Sequence, residues 1–387
     1  MFTKILSTAC YVPETRRTNT DLEKMVDTTD AWITERVGIK ERRITQQFET
    51  HKYMALHAVK SAIEKAGINP AGASIILTGN THVPDVIPCH ASETAAQMAG
   101  TAAWDIIAPT SSIAAMDANL LFGSYILLSK NGMITGKTDG KCALIYHHVR
   151  PSLAQTIAKE LGMNADLSYD LVAGCASFNF GLALADARIQ GKSQYVVVAA
   201  VDKMLDVTNP KDRATVVLFG ELAGAAVLGP SKEAGFVYHH LETDGTQRNL
   251  ITVKKENGWD KPYFWQDGKA VYKWAVPKIA ELTQKTVDTA IADITPGRVF
   301  IVPHQANPRM LEKAREKPIF EKVHGIVTTG EMFGNSSTAS IAHALDIALT
   351  HGFQSKNSQT CAGKHDYIGI IGFGAGLSSA VNVYRVV

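Results

Sequence analysis

Short apolar runs rich in β-branched residues alternate along this chain with segments in which apolar residues recur at helical spacing. The clearest runs are ASIILT at 73–78, YVVVAAVD at 195–202 and RVFIVPH at 298–304. Each run has the length and composition of a buried strand, and Ala-rich stretches such as GLALADARIQG have the periodicity of helices. Strands that alternate with helices predict a mostly parallel sheet covered by helices, so we expect an α/β fold.

Two parts of the chain carry similar strand, turn and helix units. One surrounds Cys175, and the other contains His304 and Asn335. The similarity indicates a duplicated architecture with two halves, residues 1–235 and 236–387, although the residues themselves show no repeat. Because the chain has no low-complexity tract and no linker rich in Pro and Ser, we expect its domains to pack against each other.

Residues from about 86 to 149 differ from the rest of the first half. They are rich in Ala, Ser and Thr, and they contain two apolar runs, LLFGSYILL and CALIYHH, on either side of a turn signal, TDGK. The two runs predict a helix and a strand. We therefore expect an inserted subdomain in this part of the chain.

Length and charge restrict the kind of protein. The chain has 387 residues, of which 45% are apolar, and this is enough to build a full hydrophobic core. Its 39 Lys and Arg residues nearly balance 37 Asp and Glu residues. Without a long run of one sign, we expect neither a nucleic acid nor a membrane as a partner.

Cysteine usage and hydropathy predict the compartment. The five cysteines include no CxxC pair, which indicates a reducing compartment rather than a disulfide framework. The first residues have too short an apolar core for a signal peptide, and the most apolar long stretch, 111–128, carries Asp117 and Asn119. We expect a soluble cytoplasmic protein.

Cys175 lies in the stretch VAGCASF, directly after an apolar run and before a helical pattern. The dipole and the free N–H groups at the start of a helix favour a thiolate, and the same N–H groups can hold a thioester oxyanion. The alternative is a small buried residue, because free cysteines are among the most buried residue types. The stretch alone leaves both interpretations open.

Two further polar residues lie at predicted turns. His304 follows the strand of FIVPHQANPRM, among polar neighbours and just before a helix that begins near Pro308, a position typical of a catalytic imidazole. Asn335, in the Gly-Asn turn of MFGNSSTAS, is most easily interpreted as a helix N-cap, and its amide is also suited to polarising a carbonyl. Purely structural roles remain the alternatives for both residues.

The C-terminal stretch IGIIGFGAGLSSAVNVYRV contains Gly372, Gly374 and Gly376 between two strand-like runs. Since a strand rather than a helix follows, the stretch predicts a tight turn between paired strands and not a dinucleotide fingerprint. Such a turn brings backbone N–H groups near a ligand. The thirteen histidines include no HxxxH or HExxH spacing, so we expect neither a metal site nor a metal hydrolase.

Taken in order, several segments resemble the β-ketoacyl-acyl-carrier-protein synthase III family of condensing enzymes, which belongs to the thiolase superfamily. The matching segments are DAWITERVGIKERRI, DLVAGCASF, NPKDRATVVLFG, VPHQANPRM, GNSSTASIAHAL and GFGAG. The resemblance covers residues from about 1 to 85 and from about 150 to 387. It implies a five-layered thiolase fold with two similar halves, and a homodimer.

The resemblance also implies a catalytic site. Cys175 matches the acylated nucleophile, His304 the histidine of the HQAN motif and Asn335 the asparagine of the GN motif. His304 and Asn335 would together hold the thioester carbonyl of the second substrate as it becomes an enolate. The turn at Gly374 and Ala375 would supply backbone donors to an oxyanion.

Substrate contacts follow from the same resemblance. Trp32, Arg36 and Arg213 fall on positions that bind the nucleotide end of coenzyme A, and Arg309 and Lys273 on positions that dock the acidic acyl carrier protein. The expected reaction is ping-pong: acyl-coenzyme A acylates the cysteine, and a malonyl thioester then attacks with loss of carbon dioxide to give a β-ketoacyl product. Coenzyme A is a substrate here, so no bound cofactor is expected.

Two departures from the family pattern concern the shape of one turn and the substrate. The usual Gly-Asp-Gly after the LFG strand reads Gly220, Glu221 and Leu222 here, and the segment at about 86–149 has no counterpart. In the family that part of the chain helps to form the dimer contact and the acyl pocket, so the resemblance does not imply an acetyl substrate. The remaining alternatives are a relative from secondary metabolism, which joins two acyl chains or acylates a hydroxyl or amine, and an inactive partner subunit.

Overall fold

The computed structural model describes residues 2–80, 134–138, 141–145, 152–192, 195–255, 258, 261–294, 297–355 and 358–387. The chain forms two compact units, Met1–His82 with Ser152–Val387, and Val83–Pro151. The described part of the second unit is an antiparallel hairpin of β5 (Ile134–Thr138) and β6 (Lys141–Ile145). β6 coincides with the strand predicted in CALIYHH, whereas the helix predicted in LLFGSYILL lies outside the described residues.

The first unit contains the other described elements. Its strands are β1 (Phe2–Tyr11), β2 (Arg16–Thr18), β3 (Glu41–Arg43), β4 (Ala73–Thr78), β7 (Tyr169–Leu171), β8 (Tyr195–Lys203), β9 (Glu221–Ser231), β10 (Phe236–Thr243), β11 (Ile251–Lys254), β12 (Tyr263–Gln266), β13 (Val299–Pro303), β14 (Gly325–Ile326), β15 (Phe353–Gln354), β16 (Gln359–Thr360), β17 (Tyr367–Gly374) and β18 (Ser378–Arg385). Its helices are α1 (Asn19–Glu23), α2 (Asp30–Arg36), α3 (His51–Ala66), α4 (Leu153–Glu160), α5 (Ser177–Lys192), α6 (Arg213–Val216), α7 (Gly268–Ala292), α8 (Pro308–Arg315), α9 (Gly330–Phe333) and α10 (Ala339–His351).

The first sheet has its strands in the order β1-β9-β8-β4-β7. β4 is parallel to both β7 and β8, as the alternation of strands and helices predicts, while β9 is antiparallel to β1 and β8. β8 is buried on both faces, with Val196 and Val198 in one apolar cluster and Val197 and Ala199 in another. Burial on both faces explains why the run YVVVAAVD shows no polar alternation.

The second sheet has the order β10-β18-β17-β13-β14-β15-β16. β13 is parallel to β14 and β17, and β17 turns back into antiparallel β18 so that Gly374 pairs with Ser378. This is the turn between paired strands that the Gly-rich C-terminal stretch predicts. Phe300 and Ile301 are consecutive in β13 and pack into different apolar clusters, so this sheet is also covered on both faces.

Helices form three layers around the two sheets. α5 and α10 lie between them, because Phe178, Leu182 and Leu345 share one apolar cluster with strands of both sheets. α3 and α4 cover the outer face of the first sheet, and α7 and α8 cover the outer face of the second. The α/β class is confirmed, and the layers alternate as the resemblance implies. None of the helices in the described ranges is long and apolar enough to cross a membrane.

Candidate active site

Cys175 lies between the end of β7 and the start of α5, as the sequence predicts. Ser177 Oγ donates to Gly174 O and accepts from Ala173 N, at 2.6 Å each, and these bonds close the turn that carries the cysteine. Gly174 has φ +58°, and a Cβ there would lie 2.6 Å from Ala375 O. Only glycine fits this position, so the thiol is held in place just before the helix.

The Cys175 thiol is in contact with the hydroxyl of Ser337, which donates to Sγ at 3.3 Å. The pKa of Cys175 is raised to about 12, chiefly because burial disfavours the thiolate; the Ser337 hydrogen bond lowers the pKa and the charge of Asp202 raises it. The residue as a whole keeps partial exposure. At neutral pH the side chain is therefore mainly in the thiol form, and the thiolate that the start of a helix favours is not its resting state.

His304 follows β13, and its side chain is buried rather than set among exposed polar neighbours. Its Nδ1 lies 2.7 Å from Ser340 Oγ, and its ring packs edge-to-face on Phe373 with centroids 5.2 Å apart. Burial lowers the pKa of His304 to about 3. The imidazole is therefore neutral throughout the physiological pH range and suits a hydrogen-bond donor rather than a cation.

The residues after His304 hold the turn. Gln305 is buried; its Nε2 donates to Pro303 O at 2.7 Å and its Oε1 accepts from Thr329 N at 2.7 Å. Asn307 is the N-cap of α8, and its Oδ1 accepts from the N–H groups of the first turn. The burial of His304 follows from these bonds, because they satisfy the polar groups of HQAN inside the protein.

Asn335 is not a helix N-cap. The N-cap of α10 is Thr338, three residues further on, so this interpretation of the sequence is wrong. The backbone of Asn335 is fixed by bonds to Leu218 O at 2.8 Å and from Gly220 N at 3.0 Å, and its Oδ1 accepts from Ser337 N at 2.8 Å. Within the described residues its Nδ2 has no acceptor, which leaves the amide N–H groups available to a substrate.

Ser337 links the three predicted catalytic residues, and sequence reasoning did not select it. Its hydroxyl contacts Cys175, its N–H contacts Asn335, and its carbonyl accepts from Ser340 Oγ at 2.8 Å, which in turn contacts His304. The polar run after the GN motif, NSSTAS, was the available signal. Residues from three distant parts of the chain thus form one hydrogen-bonded cluster.

The turn at Gly374 and Ala375 lies directly against the cysteine. A Cβ at Gly374 would lie 2.8 Å from Cys175 N and 3.1 Å from Cys175 Sγ. The absence of a side chain at this position lets the end of β17 approach Cys175. The predicted proximity of this turn to the site is therefore present in the structure.

Trp32 and Arg213, which the resemblance assigns to coenzyme A, lie together. Arg213 Cζ is 4.9 Å from the Trp32 ring centroid, and Arg213 Nη1 donates to Asp27 O at 2.9 Å. Arg36, the third residue of this set, is exposed at the end of α2, 3.8 Å from the carboxylate of Glu35. The indole and guanidinium form a flat cationic platform on the surface.

A cavity of about 470 Å³ lies beside α6, the helix that Arg213 begins. Apolar atoms of Leu205 and Val216 line it together with the basic side chains of Arg17 and Lys261. Its volume lies in the range of small-molecule sites. Asp206 also lines the cavity, so basic, acidic and apolar groups all face it.

The two residues assigned to carrier docking differ in their contacts. Arg309, on α8, donates through Nε to Glu35 O at 3.1 Å and through Nη2 to Thr34 O at 2.8 Å, and its Nη1 lies 2.7 Å from Glu312. The guanidinium thus caps the last carbonyls of α2, a favourable position for a cation. Lys273 is exposed on α7.

The departure from Gly-Asp-Gly leaves a well-formed turn. A Cβ at Gly220 would lie 2.2 Å from Phe333 O, so glycine is required there. Glu221 begins β9 with a buried side chain, which accepts from Thr45 N at 2.6 Å, and burial raises its pKa. Leu222 joins the apolar cluster between the sheets. Leu222 therefore serves packing, and Glu221 binds the backbone of Thr45.

Potential metal ligands approach one another at His240, Glu242 and Glu281 on the surface. Lys278 Nζ lies 3.0 Å from Glu242 and 2.8 Å from Glu281, so both carboxylates already pair with one cationic side chain. We assign this group no function.

Comparison with known proteins identifies the family. The pattern of 3-Oxoacyl-[acyl-carrier-protein (ACP)] synthase III matches residues 169–245, and that of its C-terminal part matches residues 290–386. The chain is 35% identical over 356 residues to Beta-ketoacyl-[acyl-carrier-protein] synthase III of Sodalis glossinidius (strain morsitans), which covers 91% of this chain and 92% of that protein.

Solved structures share the architecture. The 3-oxoacyl-[acyl-carrier-protein] synthase III from Aquifex aeolicus VF5 is 27% identical, with a TM-score of 0.71 and 99% of each chain covered. The priming beta-ketosynthase from the R1128 polyketide biosynthetic pathway is 26% identical, with a TM-score of 0.73, and the match covers 100% of this chain and 96% of that one.

The layered fold and the Cys-His-Asn cluster define a condensing enzyme of the thiolase type. The chain belongs to the 3-oxoacyl-acyl-carrier-protein synthase III family and is an acyltransferase. The fold, the family and the enzyme class predicted from the sequence are thereby confirmed. The alternative from secondary metabolism is not favoured, since the curated relatives are named synthase III.

Proposed function

We propose that this enzyme transfers an acyl group from acyl-coenzyme A to Cys175 and condenses it with a malonyl group on acyl carrier protein. The observation that carries the proposal is the position of Ser337, which links Cys175, Asn335 and, through Ser340, His304. The names of the relatives support the same substrates, because they contain both the β-ketoacyl product and the carrier protein.

The first half-reaction is an acyl transfer. The sulfur of Cys175 bonds to the carbonyl carbon of the donor, and the bond from that carbon to the sulfur of coenzyme A breaks. The proton of the Cys175 thiol passes to the sulfur of coenzyme A, which leaves as the thiol. The turn of Gly374 and Ala375 lies beside the sulfur, and we propose that its backbone helps to hold the transient oxyanion.

The second half-reaction forms a carbon–carbon bond. The malonyl thioester loses carbon dioxide, and the electron pair left on carbon becomes an enolate whose oxygen accepts hydrogen bonds from His304 and Asn335. The enolate carbon attacks the acyl carbonyl, and the electron pair of the C–S bond returns to Cys175, which takes up a proton from water to regenerate the thiol. Each such donor is worth about 10²–10³ in rate in comparable sites.

The neutral state of His304 suits this assignment. A buried imidazole with a lowered pKa does not take the proton of the thiol and remains neutral, so it donates through one ring nitrogen. When Ser340 donates to Nδ1, the ring hydrogen is on Nε2. In that arrangement the Ser337 carbonyl no longer accepts from the Ser340 hydroxyl, but it still accepts from the backbone N–H of Ser340 at 3.2 Å.

Coenzyme A is proposed to place its nucleotide end at Trp32 and Arg213. The indole offers a face for the adenine ring, and Arg213 and Arg36 offer positive charge to the phosphates.

The carrier protein is proposed to dock near Lys273, whose exposed ammonium suits an acidic partner. Arg309 lies on α8 but its guanidinium is bonded to α2. We therefore propose that it supports the site chiefly by holding α2.

A homodimer is proposed from the edge of the first sheet. In the described part of the chain β7 is the outermost strand on its side of that sheet, and Tyr169, Val172 and Leu184 near it are 38%, 50% and 42% exposed. An unpaired edge with exposed apolar neighbours favours pairing with a second copy. Sedimentation equilibrium of wild type and of Val172→Glu tests this, since only the variant should dissociate; monomeric wild type would refute it.

The decisive experiment is intact-protein mass after incubation with acyl-coenzyme A donors of short to long chain. Wild type should gain one acyl mass, and Cys175→Ala should gain none. Malonyl carrier protein should then remove the acyl mass and release carbon dioxide. Loading of Cys175→Ala, or transfer without carbon dioxide, would refute the proposal.

We further propose that the enzyme acts in the cytoplasm and without a bound metal or nicotinamide.

A further inference from the structure

The hydroxyl that contacts the nucleophile belongs to a chain of side chains. Asn80 Nδ2 donates to Ser337 Oγ at 2.8 Å, and Ser337 Oγ donates to Cys175 Sγ at 3.3 Å. Asn80 follows β4 in the first sheet, whereas Ser337 precedes α10, so residues far apart in sequence meet at the sulfur.

Hydrogen-bond valence fixes the direction of this chain. An amide nitrogen only donates, so Ser337 Oγ accepts from Asn80 and its single hydrogen is free for another partner. The Ser337 carbonyl and N–H are bonded elsewhere, and the sulfur of Cys175 is the acceptor that the hydroxyl faces. The hydroxyl is therefore an oriented donor to sulfur.

Asp202 fixes the orientation of the Asn80 amide. Its Oδ1 accepts from Asn80 N at 2.6 Å, and its Oδ2 is 3.4 Å from Asn80 Nδ2 and 3.3 Å from Thr338 N. A carboxylate only accepts, so the nitrogen of the amide faces it and no flipped amide fits. Asp202 is fully buried in β8, which makes this anchor rigid.

We propose that Ser337 is a further catalytic residue, whose hydroxyl is oriented by Asn80 and Asp202 and stabilises the Cys175 thiolate. The same contact serves both half-reactions, since Cys175 carries negative charge when it attacks the donor and again when the C–S bond breaks. The role of Ser337 in the two half-reactions rests on the proposed function. Its stabilisation of the Cys175 thiolate does not depend on that function.

The electrostatics of the site agree with this role. The titratable groups around the sulfur are Asp202, at the end of β8, and His304, after β13 and connected through Ser340. Asp202 disfavours the thiolate by its charge, and neutral His304 offers no positive charge. The Ser337 donor acts in the opposite direction to Asp202, so it is the side chain that offsets the burial of the thiol.

Alkylation of Cys175 by iodoacetamide tests the proposal without any acyl substrate. The rate is measured from pH 7 to 10 in wild type, Ser337→Ala and Ser337→Gly, with the modified residue identified by mass. Ser337 has φ +52°, which glycine adopts without strain, so the two variants separate loss of the hydroxyl from backbone effects. Thermal unfolding verifies that each variant is folded.

Loss of a hydrogen bond to a charged group should raise the pKa of the thiol by about one unit. The thiolate fraction then falls about tenfold below the pKa, but each thiolate becomes about threefold more reactive, so alkylation slows about threefold. Asn80→Ala, which frees the hydroxyl to rotate, should give a smaller shift in the same direction.

Ser336→Ala is the matched control. Ser336 is the neighbouring residue and is equally buried, and its Oγ has no hydrogen-bond partner among the described residues. Its alkylation profile should equal that of wild type. The proposal is overturned if both Ser337 variants also match wild type. A wild type that alkylates as expected yet takes up no acyl group would refute the proposed function and leave this inference standing.

Discussion

Ser340 Oγ lies 2.7 Å from His304 Nδ1, although the two residues are far apart in sequence: Ser340 is in the first turn of α10, and His304 directly follows β13. The hydroxyl has one hydrogen and two acceptors within reach, the imidazole and Ser337 O at 2.8 Å. The acceptor to which the hydroxyl donates determines which ring nitrogen of His304 carries the hydrogen. If the hydroxyl donates to Ser337 O, the imidazole carries its hydrogen on Nδ1; if it donates to His304, the hydrogen is on Nε2 and Ser337 O keeps the N–H of Ser340. The proposed oxyanion donor requires the second arrangement.

Ser340→Ala should therefore slow the condensation and spare the acyl transfer. We expect about a tenfold to hundredfold fall in carbon dioxide release, because the imidazole loses the partner that orients it. Acylation of Cys175, followed by intact mass in a single turnover, should stay within about threefold of wild type. Ser336→Ala should leave both unchanged, and an equal loss of both half-reactions in Ser340→Ala would contradict the assignment.

Two buried histidines should make the fold sensitive to acid. Burial lowers the pKa of His304 to about 3 and that of His343 to about 4. Since both titrate near about 6.5 when unfolded, the unfolded chain binds more protons below that pH. Their contribution to the free energy of unfolding is fully present above about pH 6.5 and is lost as the pH falls. The loss is at most about 1.4 kcal/mol for each histidine and each pH unit.

His343→Leu removes one of these groups without touching the catalytic cluster. Denaturant unfolding at pH 7, 5.5 and 4.5 should show a smaller loss of unfolding free energy in the variant than in wild type. The ring of His343 packs on Phe333 with centroids 4.4 Å apart, so leucine keeps an apolar contact there. Parallel curves for the two proteins would show that His343 does not titrate between the folded and unfolded states.

Trp32→Ala should weaken the use of acyl-coenzyme A through binding. Loss of the platform that Trp32 forms with Arg213 should raise KM about tenfold with little change in kcat, because the platform is assigned to the nucleotide and not to the reacting carbonyl. An acyl-pantetheine donor, which lacks the nucleotide, is the control and should be used equally by both proteins. A similar defect with both donors would place Trp32 elsewhere in the reaction.

Arg309 and Lys273 should differ in which substrate they affect. Arg309→Ala uncaps α2, the helix of Trp32 and Arg36, and should raise KM for acyl-coenzyme A about threefold to tenfold. Lys273→Ala should raise KM only for the malonyl carrier protein, and this effect should fade with added salt. Lys364→Ala, at an exposed ion pair with Glu233, is the control. A carrier-specific defect in both variants would show that Arg309 docks the carrier.

The apolar pattern was sufficient for the central strands, because burial on both faces makes β4, β8 and β13 continuous apolar runs. It also located Cys175 before a helix. The start of α10 was missed, since the turn depends on Ser337 at φ +52° and on contacts that no local pattern contains. Asn80 and Ser337 are 257 positions apart, so their hydrogen bond becomes visible only when the two sheets are packed.

The close approach of Gly374 to the nucleophile should make this glycine indispensable for acylation. A Cβ at Gly374 would lie 2.8 Å from the backbone nitrogen and 2.9 Å from the Cβ of Cys175, distances that real Cβ atoms do not tolerate. Backbone atoms on both sides are fixed, β17 by its pairing with β18 and the cysteine by the turn before α5. Gly374→Ala must therefore displace the thiol or the turn.

We expect Gly374→Ala to slow acyl loading by about a hundredfold, since a misplacement of about 1 Å at a reacting group costs that much. Rapid-quench intact mass gives the rate. Gly245→Ala is the matched control, because a Cβ at Gly245 meets nothing within 4 Å and its loading rate should equal that of wild type. If Gly374→Ala is folded and loads at the wild-type rate, the turn adapts to the extra methyl group and does not position the nucleophile.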